Sequence, residues 1–263
     1  MDHISAAQTS RSYVVTGGGR GVGRAVVERL LADGCAVVAV ELDPAALAWL
    51  EHSAAATVVG DAADEAVAAQ AADRARQLAP LAGWVNNAAV FRDASLHTTS
   101  TREVLDLVTA NLAPAVAGCA VAVRHFLDAG TGGAIVNVSS HQARRAVPGC
   151  TPYVTAKAAI EGLTRALAVE YGTRGVRVNT VALGSIATER YTAFLDGLGP
   201  AAAGRVEGEM RLLHPVGRVG LPAEVAGTIA YLLSDDAAFV TGATVPVDGG
   251  RSVLARDPEA HET

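Results

Sequence analysis

A glycine-rich run near the N-terminus has the composition of a phosphate-binding turn. Residues 16–23 read T-G-G-G-R-G-V-G, between an apolar run at 13–15 and a helical pattern at 24–32. A strand, a glycine turn and a helix in this order place an anion at the helix N-terminus, where unpaired N–H groups and the positive end of the helix dipole favour it. The glycines allow close backbone approach and positive φ. The spacing matches the common G-x-G-x-x-G pattern only in part.

A second group of polar side chains follows predicted strands or begins a helix. Asn86 and Asn87 end one apolar run, and Ser140 ends another. In open α/β sheets, ligands bind at the carboxyl ends of the strands. Tyr153 and Lys157 are four residues apart and therefore share one helix face, although a surface pair would also suit a helix at this spacing.

Two further residues have positions that suggest a role. Glu41 ends the apolar run at 35–40, and an acidic residue about 20 residues past such glycines hydrogen-bonds the adenosine ribose in dinucleotide-binding folds. Its charge would repel a 2′-phosphate. Asn111 lies within the apolar helical stretch at 101–128, so its amide either satisfies a helix kink near Pro114 or serves a site.

The elements that position these residues alternate between strand and helix along the chain. This alternation predicts an α/β fold, a doubly wound (Rossmann) parallel sheet of about seven strands with right-handed crossovers. We expect one domain at 13–254, with polar tails at 1–12 and 255–263. The segment 189–215 has an irregular pattern and is expected to be a variable loop over the substrate.

Composition narrows the functional classes. Of 263 residues, 50% are hydrophobic and 4% aromatic, so the core must consist of Ala, Val and Leu. A net charge of −6 without a basic stripe argues against nucleic-acid binding. Absence of a long uncharged apolar run or an apolar signal core argues against a membrane protein and favours the cytoplasm. Cys35, Cys119 and Cys150 lack metal-ligand spacing, so we expect buried, inert thiols and no metal.

In order and spacing, these motifs resemble the short-chain dehydrogenase/reductase family over nearly the whole chain. The matching residues are the 16–23 run, Asn86-Asn87-Ala88, Asn111, Ser140, Tyr153-x-x-x-Lys157 and the turn Leu183-Gly184…Thr188. The interval of 13 between Ser140 and Tyr153 is usual in the family and favours Ser140 over Ser139. Ala89 and Leu183 replace a family glycine and proline, and neither change removes a reacting group.

The resemblance implies hydride transfer between a nicotinamide and a secondary alcohol or ketone. Tyr153 would be the general acid/base. A free phenol titrates near about 10, and the Lys157 cation together with the nicotinamide would lower that pKa. Lys157 would also hold the nicotinamide ribose, Ser140 would orient the substrate oxygen, and Asn111 would hold a proton-relaying water.

The cofactor is expected to be NAD, with NADP as the alternative. Glu41 favours NAD, whereas a cation at Arg20 can meet a 2′-phosphate. Asp61 would contact the adenine end, and Thr188 the nicotinamide carboxamide. The expected cofactor-binding residues are Gly17, Gly19, Arg20, Gly21, Val22, Gly23, Glu41, Asp61, Asn87, Ala88, Tyr153, Lys157, Gly184, Ile186 and Thr188.

The substrate is expected to contact Ser140, His141, Gln142 and Phe91. His141 either binds a polar substrate group or faces solvent in a loop. An NAD-dependent secondary-alcohol dehydrogenase is the first hypothesis. The alternatives are an NADPH-dependent 3-oxoacyl-thioester reductase and a non-catalytic nucleotide-sensing module. A basic docking surface for an acidic carrier would support the first, and the adjacent Arg144 and Arg145 are the only candidates for it. The resemblance also implies a homotetramer with the Asn111 and Tyr153 helices at its interfaces.

Overall fold

The computed structural model describes residues 11–255, and within them seven strands form one parallel sheet. The strands are β1 (Ser12–Thr16), β2 (Ala36–Glu41), β3 (Ala56–Val59), β4 (Leu81–Asn86), β5 (Gly133–Ser140), β6 (Val176–Leu183) and β7 (Thr244–Val247). Their order across the sheet is β3-β2-β1-β4-β5-β6-β7, and every neighbouring pair is parallel. The predicted doubly wound α/β sheet is confirmed.

Helices cover both faces of the sheet. They are α1 (Gly21–Ala32), α2 (Glu65–Leu78), α3 (Thr101–Ala129), α4 (Thr151–Tyr171), α5 (Glu189–Asp196), α6 (Pro200–Leu213) and α7 (Pro222–Leu233). Helices α1 and α7 pack on one face through residues such as Val26 and Ile229. Helices α2, α3 and α4 pack on the other around Trp84 and Phe126. The core is largely aliphatic because the five strands between the two edge strands are buried on both faces over most of their length.

The strand order reverses beside β1. The chain runs outward from β1 to β2 and β3, then returns to place β4 against the opposite edge of β1. Loops that leave the carboxyl ends of β1 and β4 therefore diverge and leave a crevice between them, the usual ligand position in an open parallel sheet. This crevice positions the candidate site.

The segment 189–215 is not the irregular loop that we expected. It folds mostly as α5 and α6, and neither helix has a fully buried residue. Gly199 precedes α6 in an extended conformation and Pro200 occupies its first turn, where a missing N–H is tolerated. Gly204 lies within α6, where an added Cβ would meet nothing within 4 Å. The glycines therefore interrupt the sequence pattern without interrupting the helix.

Expectations about tails, thiols and membrane helices need adjustment. Residues 1–10 and 256–263 of the expected tails lie outside the described residues, while Ser12 belongs to β1 and its hydroxyl donates to Ala79 O at 2.8 Å. Cys119 is buried, but Cys35 and Cys150 are partly exposed.

By length and composition α3 is apolar enough to cross a membrane, with a mean hydropathy of 1.7 over 18 residues, although half of that window is buried. Core helices of soluble proteins have the same character.

Candidate active site

The glycine loop forms a cradle that side chains would fill. Gly17 and Gly21 have φ of 64° and 53°, in the left-handed region that favours glycine. A Cβ on Gly23 would lie 1.9 Å from Gly17 O, so the helix can approach the strand only with glycine there. A Cβ on Gly19 would lie 2.9 Å from Glu41 Oε2. The loop is therefore shaped for close backbone approach, as dinucleotide phosphates require.

Asn87 holds this loop in place. Its Nδ2 donates to Thr16 O at 3.1 Å and to Gly17 O at 3.0 Å. The backbone N–H groups of Asn87 and Ala88 both donate to Thr16 Oγ1, at 3.0 and 3.2 Å. These bonds join the carboxyl ends of β1 and β4. Asn87 therefore ties the end of one strand to the glycine loop that follows the other.

Glu41, the residue expected to meet the adenosine ribose, lies against the glycine loop. Its Oε2 accepts from Gly19 N at 3.2 Å, and its Oε1 accepts from Leu42 N at 2.9 Å. The guanidinium of Arg20, the counter-argument for NADP, is paired with the carboxylate of Asp43. A carboxylate thus lies against the loop while the nearby cation already has a partner.

Two other predicted cofactor contacts lie on either side of the loop. Asp61 is exposed, and its Oδ1 accepts from Ala63 N at 2.9 Å in the turn before α2. Across the loop, Thr188 Cγ2 lies 3.1 Å from where a Cβ on Gly21 would be. The turn that follows β6 therefore packs directly onto the glycine loop. Gly184 allows this turn, because a Cβ there would lie 2.7 Å from the Cα of Asp248.

Ser140, Tyr153 and Lys157 come together at the carboxyl end of β5. Ser140 is the last residue of β5, and its Oγ accepts from Gln142 N at 3.2 Å. Tyr153 lies in the first turn of α4, with Lys157 one turn later on the same face. Lys157 Nζ is 5.4 Å from the centroid of the Tyr153 ring. Ser139 Oγ donates to Lys157 O at 3.1 Å and so anchors α4 to the strand.

Lys157 is buried, with 2% of its surface exposed. Its Nζ donates to Val138 O at 2.8 Å, and burial lowers its pKa to about 8. It is also the only lysine in the chain, every other basic side chain apart from histidine being arginine. The sequence alone therefore distinguishes Lys157 from the other basic residues. An ammonium can release its proton on burial, which a guanidinium does not do.

Tyr153 is half-buried, and burial raises its pKa to about 12. The nearby Ser140 hydroxyl and the charge of Arg190 act in the opposite direction. We expected Lys157 to lower this pKa, but it does not contribute here. Phe91 stacks on Tyr153 with ring centroids 5.3 Å apart, and Arg190 Cζ lies 3.9 Å from the Phe91 centroid. Sequence reasoning missed Arg190 because it lies in the segment taken for a loop.

Asn111 is buried within α3, with both side-chain polar atoms engaged. Its Oδ1 accepts from Val90 N at 3.0 Å, and its Nδ2 donates to Leu107 O at 3.1 Å. Pro114 has no N–H, so one main-chain carbonyl in the preceding turn lacks its helical donor. Neither Asn111 bond goes to that carbonyl, so the Asn111 side chain does not compensate for the proline. It fixes the segment that carries Phe91 beside the Tyr153 ring.

A buried network of hydrogen-bonded polar side chains joins the elements that carry the site. Asn86 Nδ2 donates to Asn137 Oδ1 at 2.8 Å, and Asn137 Nδ2 donates to Thr164 Oγ1 at 2.9 Å. Thr164 and Thr180 hydroxyls are 2.6 Å apart, and Trp84 Nε1 donates to Asn86 Oδ1 at 2.8 Å. The network links β4, β5, β6 and α4. Asn137 lies in the middle of an apolar strand, and its position could have indicated this buried hydrogen-bond network from the sequence alone.

His141 does not face solvent, which excludes that alternative. It is 6% exposed, and its Nδ1 donates to Leu183 O at 3.1 Å. Within residues 11–255, its Nε2 and the Oε1 of Gln142 are buried without a hydrogen-bond partner. Burial, followed by the charge of Arg251, lowers the pKa of His141. Two unpaired polar atoms thus lie directly after Ser140.

Comparisons with known proteins agree with this geometry. Residues 17–252 match a family model described as enoyl-(acyl carrier protein) reductase. The chain is 37% identical to the short-chain reductase protein NovJ of Streptomyces niveus, covering 90% of this chain and 92% of that protein. It is 32% identical to the 3-oxoacyl-[acyl-carrier-protein] reductase FabG of Chlamydia trachomatis serovar D, covering 94% and 99%.

One relative is matched in both sequence and structure. Levodione reductase of Leifsonia aquatica is 34% identical over 93% of this chain and 95% of that protein. The crystal structure of levodione reductase superposes with a TM-score of 0.85 at 31% identity, covering 94% of this chain and 99% of that one. With the parallel sheet and the glycine cradle, these matches place the chain in the short-chain dehydrogenase/reductase family, nicotinamide-dependent oxidoreductases that act on alcohol and carbonyl groups.

Proposed function

We propose that this protein transfers a hydride between NAD(H) and a secondary alcohol or ketone, with Tyr153 as the general acid/base. The proposal depends chiefly on one observation. Ser140, Tyr153 and the buried Lys157 meet at the carboxyl edge of the sheet, with Lys157 Nζ 5.4 Å from the Tyr153 ring. When bound, the nicotinamide supplies the carbon that accepts or gives the hydride.

The chain's own residues would handle the proton and the developing charge. With its pKa raised to about 12, Tyr153 is a neutral phenol at pH 7 and can donate a proton to a ketone oxygen. The Ser140 hydroxyl would donate to the same oxygen and hold it. Lys157, largely protonated at pH 7, would donate to the nicotinamide ribose and keep a positive charge near the phenol. We keep the expectation that Asn111 helps to hold a proton-relaying water.

The cradle fits a dinucleotide and favours NAD. The glycine loop would hold the pyrophosphate, and Asp61 and Thr188 would hold the adenine and carboxamide ends. Glu41, bonded to Gly19 N at 3.2 Å, would meet the adenosine ribose hydroxyls. A 2′-phosphate there would face this carboxylate. The Arg20 guanidinium is paired with Asp43, so the cation that would oppose this repulsion is engaged.

Cofactor choice is tested by changing the Glu41 charge. Like charges about 4–8 Å apart near a protein surface repel by about 2–4 kcal/mol, less with salt screening. We expect Glu41→Gln to raise the affinity for NADP relative to NAD by about 10- to 100-fold. Glu170→Gln, the same charge change on exposed α4 surface, should leave the ratio unaltered. Tenfold tighter binding of NADP than NAD by the unmodified chain would contradict the assignment.

Catalysis is tested by the change in nicotinamide absorbance with secondary alcohols and ketones. Loss of a general acid/base lowers rates by about 10²–10⁴-fold, which is what we expect for Tyr153→Phe, with NADH affinity retained. Tyr231→Phe on exposed α7 surface is the matched control. Full turnover by Tyr153→Phe would contradict the proposed role. Tight cofactor binding without turnover of any ketone would favour a nucleotide-sensing module instead.

The alternative of a 3-oxoacyl-thioester reductase is supported by the likeness to the 3-oxoacyl-[acyl-carrier-protein] reductase at 32% identity. However, one of the two cations that would form a basic docking surface for a carrier is already paired. Arg144 Nε donates to the buried Glu161 at 3.1 Å, which leaves Arg145 as the free cation of the pair within the part of the chain described. A kcat/KM for a 3-oxoacyl carrier thioester with NADPH above that for simple ketones with NADH would favour this alternative.

We also infer that the protein is a cytoplasmic homotetramer. Helices α3 and α4 expose Leu105, Val116 and Val169, which suits burial between subunits. The three cysteines are free, as in a reducing compartment. Sedimentation equilibrium should give four times the chain mass. A monomer at micromolar concentration would contradict the oligomer.

A further inference from the structure

A small cavity lies beside His141, the residue that follows Ser140 in the chain. Its volume is about 210 Å³, and its walls include His141, Arg145 and Arg251 together with Val147, Leu213 and Leu254. The residue after Ser140 thus forms one wall. The cavity has a cationic side and an apolar side, and the cofactor cradle contributes none of these walls.

His141, one of the residues that line the cavity, has a buried ring nitrogen without a partner. Since Leu183 O can only accept, the 3.1 Å contact assigns a proton to Nδ1 and leaves Nε2 to interact elsewhere. Nε2 is fully buried and unpaired among the residues described. It can accept a hydrogen bond when the ring is neutral and donate one when the ring is protonated. An unpaired polar atom in so buried a ring indicates a ligand group.

The two arginines supply the charge. Arg251 is partly buried and donates to Ser185 Oγ at 2.6 Å, and the nearby Asp248 carboxylate offsets part of its charge. Asp248 is itself occupied by Gly250 N and Ser252 N, at 3.0 and 2.8 Å.

Arg145 is exposed and forms no ion pair within residues 11–255. Two guanidinium groups against one carboxylate leave the cavity with one net positive charge. A monoanion would balance it, and guanidinium groups match the planar geometry of a carboxylate.

We propose that this cavity binds the carboxylate of the substrate, so that the enzyme acts on hydroxy acids or oxo acids rather than on neutral alcohols. The inference rests on the proposed function, because it takes Ser140 and Tyr153 as the reacting end. The carboxylate lies among Arg145, Arg251 and His141. The carbon chain of the acid runs past Val147 and Leu213 toward Ser140.

The test compares oxo acids with their methyl esters as substrates of the full chain with NADH. The pairs are 3-oxobutanoate, 4-oxopentanoate, 5-oxohexanoate and 6-oxoheptanoate, each with its ester. For the best pair we expect kcat/KM to favour the acid at least tenfold. Arg145→Gln and Arg251→Met should each lower that ratio at least threefold, whereas Arg74→Gln on α2, far from the cavity, should retain it.

Binding without turnover separates this inference from the proposed function. Hexanoate and hexanamide are titrated in ligand-observed NMR experiments, with unmodified protein and with Arg145→Gln. The Arg145 side chain forms no hydrogen bond or ion pair within residues 11–255, so its loss should disturb little else. Hexanoate binding that is lost in the variant supports the cavity even if no ketone is reduced. Turnover of acids and esters at equal rates, or equal binding of hexanoate and hexanamide, would overturn it while leaving the proposed function intact.

Discussion

The protonation of Lys157 can be predicted with a magnitude and a sign. Burial lowers its pKa from 10.5 to about 8. A shift of one unit corresponds to about 1.4 kcal/mol, so burial favours the neutral amine by about 3 kcal/mol. The carbonyl of Val138, the one hydrogen-bond acceptor within reach among the described residues, does not compensate for lost hydration.

The sign of the pH dependence follows from linkage. Between about pH 8 and pH 10.4 the unfolded chain binds the Lys157 proton and the folded chain does not, so the free energy of unfolding rises with pH across that window. The contribution is fully present above the unfolded pKa and is lost as the pH falls through about 8. Tyr153 acts in the opposite direction. Its pKa is raised to about 12, so its contribution is lost as the pH rises from about 10 toward 12.

Because the chain has one lysine, the assay is direct. Protein labelled with [ε-¹³C]lysine should give one side-chain signal, with a titration midpoint near pH 8. Urea unfolding from pH 7 to 10 should show stability rising by an amount on the order of 3 kcal/mol, a slope that Lys157→Met abolishes. A midpoint at pH 10 or above would refute the reasoning, because it would mean that the ammonium is hydrated or paired in the folded protein.

Three further predictions concern the cradle, the Tyr153 environment and α6. Gly23→Ala should lower the affinity for NADH more than tenfold, measured by calorimetry, because the added Cβ would meet Gly17 O. Gly162→Ala, whose Cβ would meet no atom closer than 4.0 Å, should leave that affinity unchanged. Arg190→Met should move the alkaline limb of the oxidation pH profile upward by removing a charge that lowers the Tyr153 pKa, and an unchanged limb would exclude that influence. Gly208→Ala, in open space within α6, should stabilise the protein by about 0.5–1 kcal/mol in thermal melts.

The sheet could be predicted because parallel strands are buried on both faces and therefore appear as continuous apolar runs, such as 134–140. Helices α5 and α6 were missed because glycines and prolines between 197 and 215 obscured their pattern, and neither helix has a fully buried residue. Gly204 and Gly208 within α6 then suggested a loop. In that segment the start of α6 is set locally, with Pro200 in its first turn and Gly199 O accepting from Ala202 N and Ala203 N at 2.9 and 3.0 Å.

In the site, the positions that could be predicted were those that follow from local spacing along the chain. Tyr153 and Lys157 share a helix face by periodicity alone, and Ser140 ends a strand. The burial of His141 depends on contact with Leu183, 42 residues away, and the stacking of Arg190 on Phe91 joins segments about 100 residues apart. No local pattern encodes such contacts, because they arise from tertiary packing.

Burial acts on the Tyr153 and Lys157 pair in one consistent way. It favours the neutral form of each, which raises the pKa of the phenol to about 12 and lowers that of the ammonium to about 8. As the pH rises, Lys157 therefore loses its charge before Tyr153 ionises, so the cation is gone when the phenolate would need it. The charge of Arg190 acts against this rise in the Tyr153 pKa and so favours phenolate. Under the proposed function, reduction needs only the neutral phenol, so we expect the chain's own groups to favour reduction at pH 7 and oxidation to depend on the positive charge of the oxidised nicotinamide.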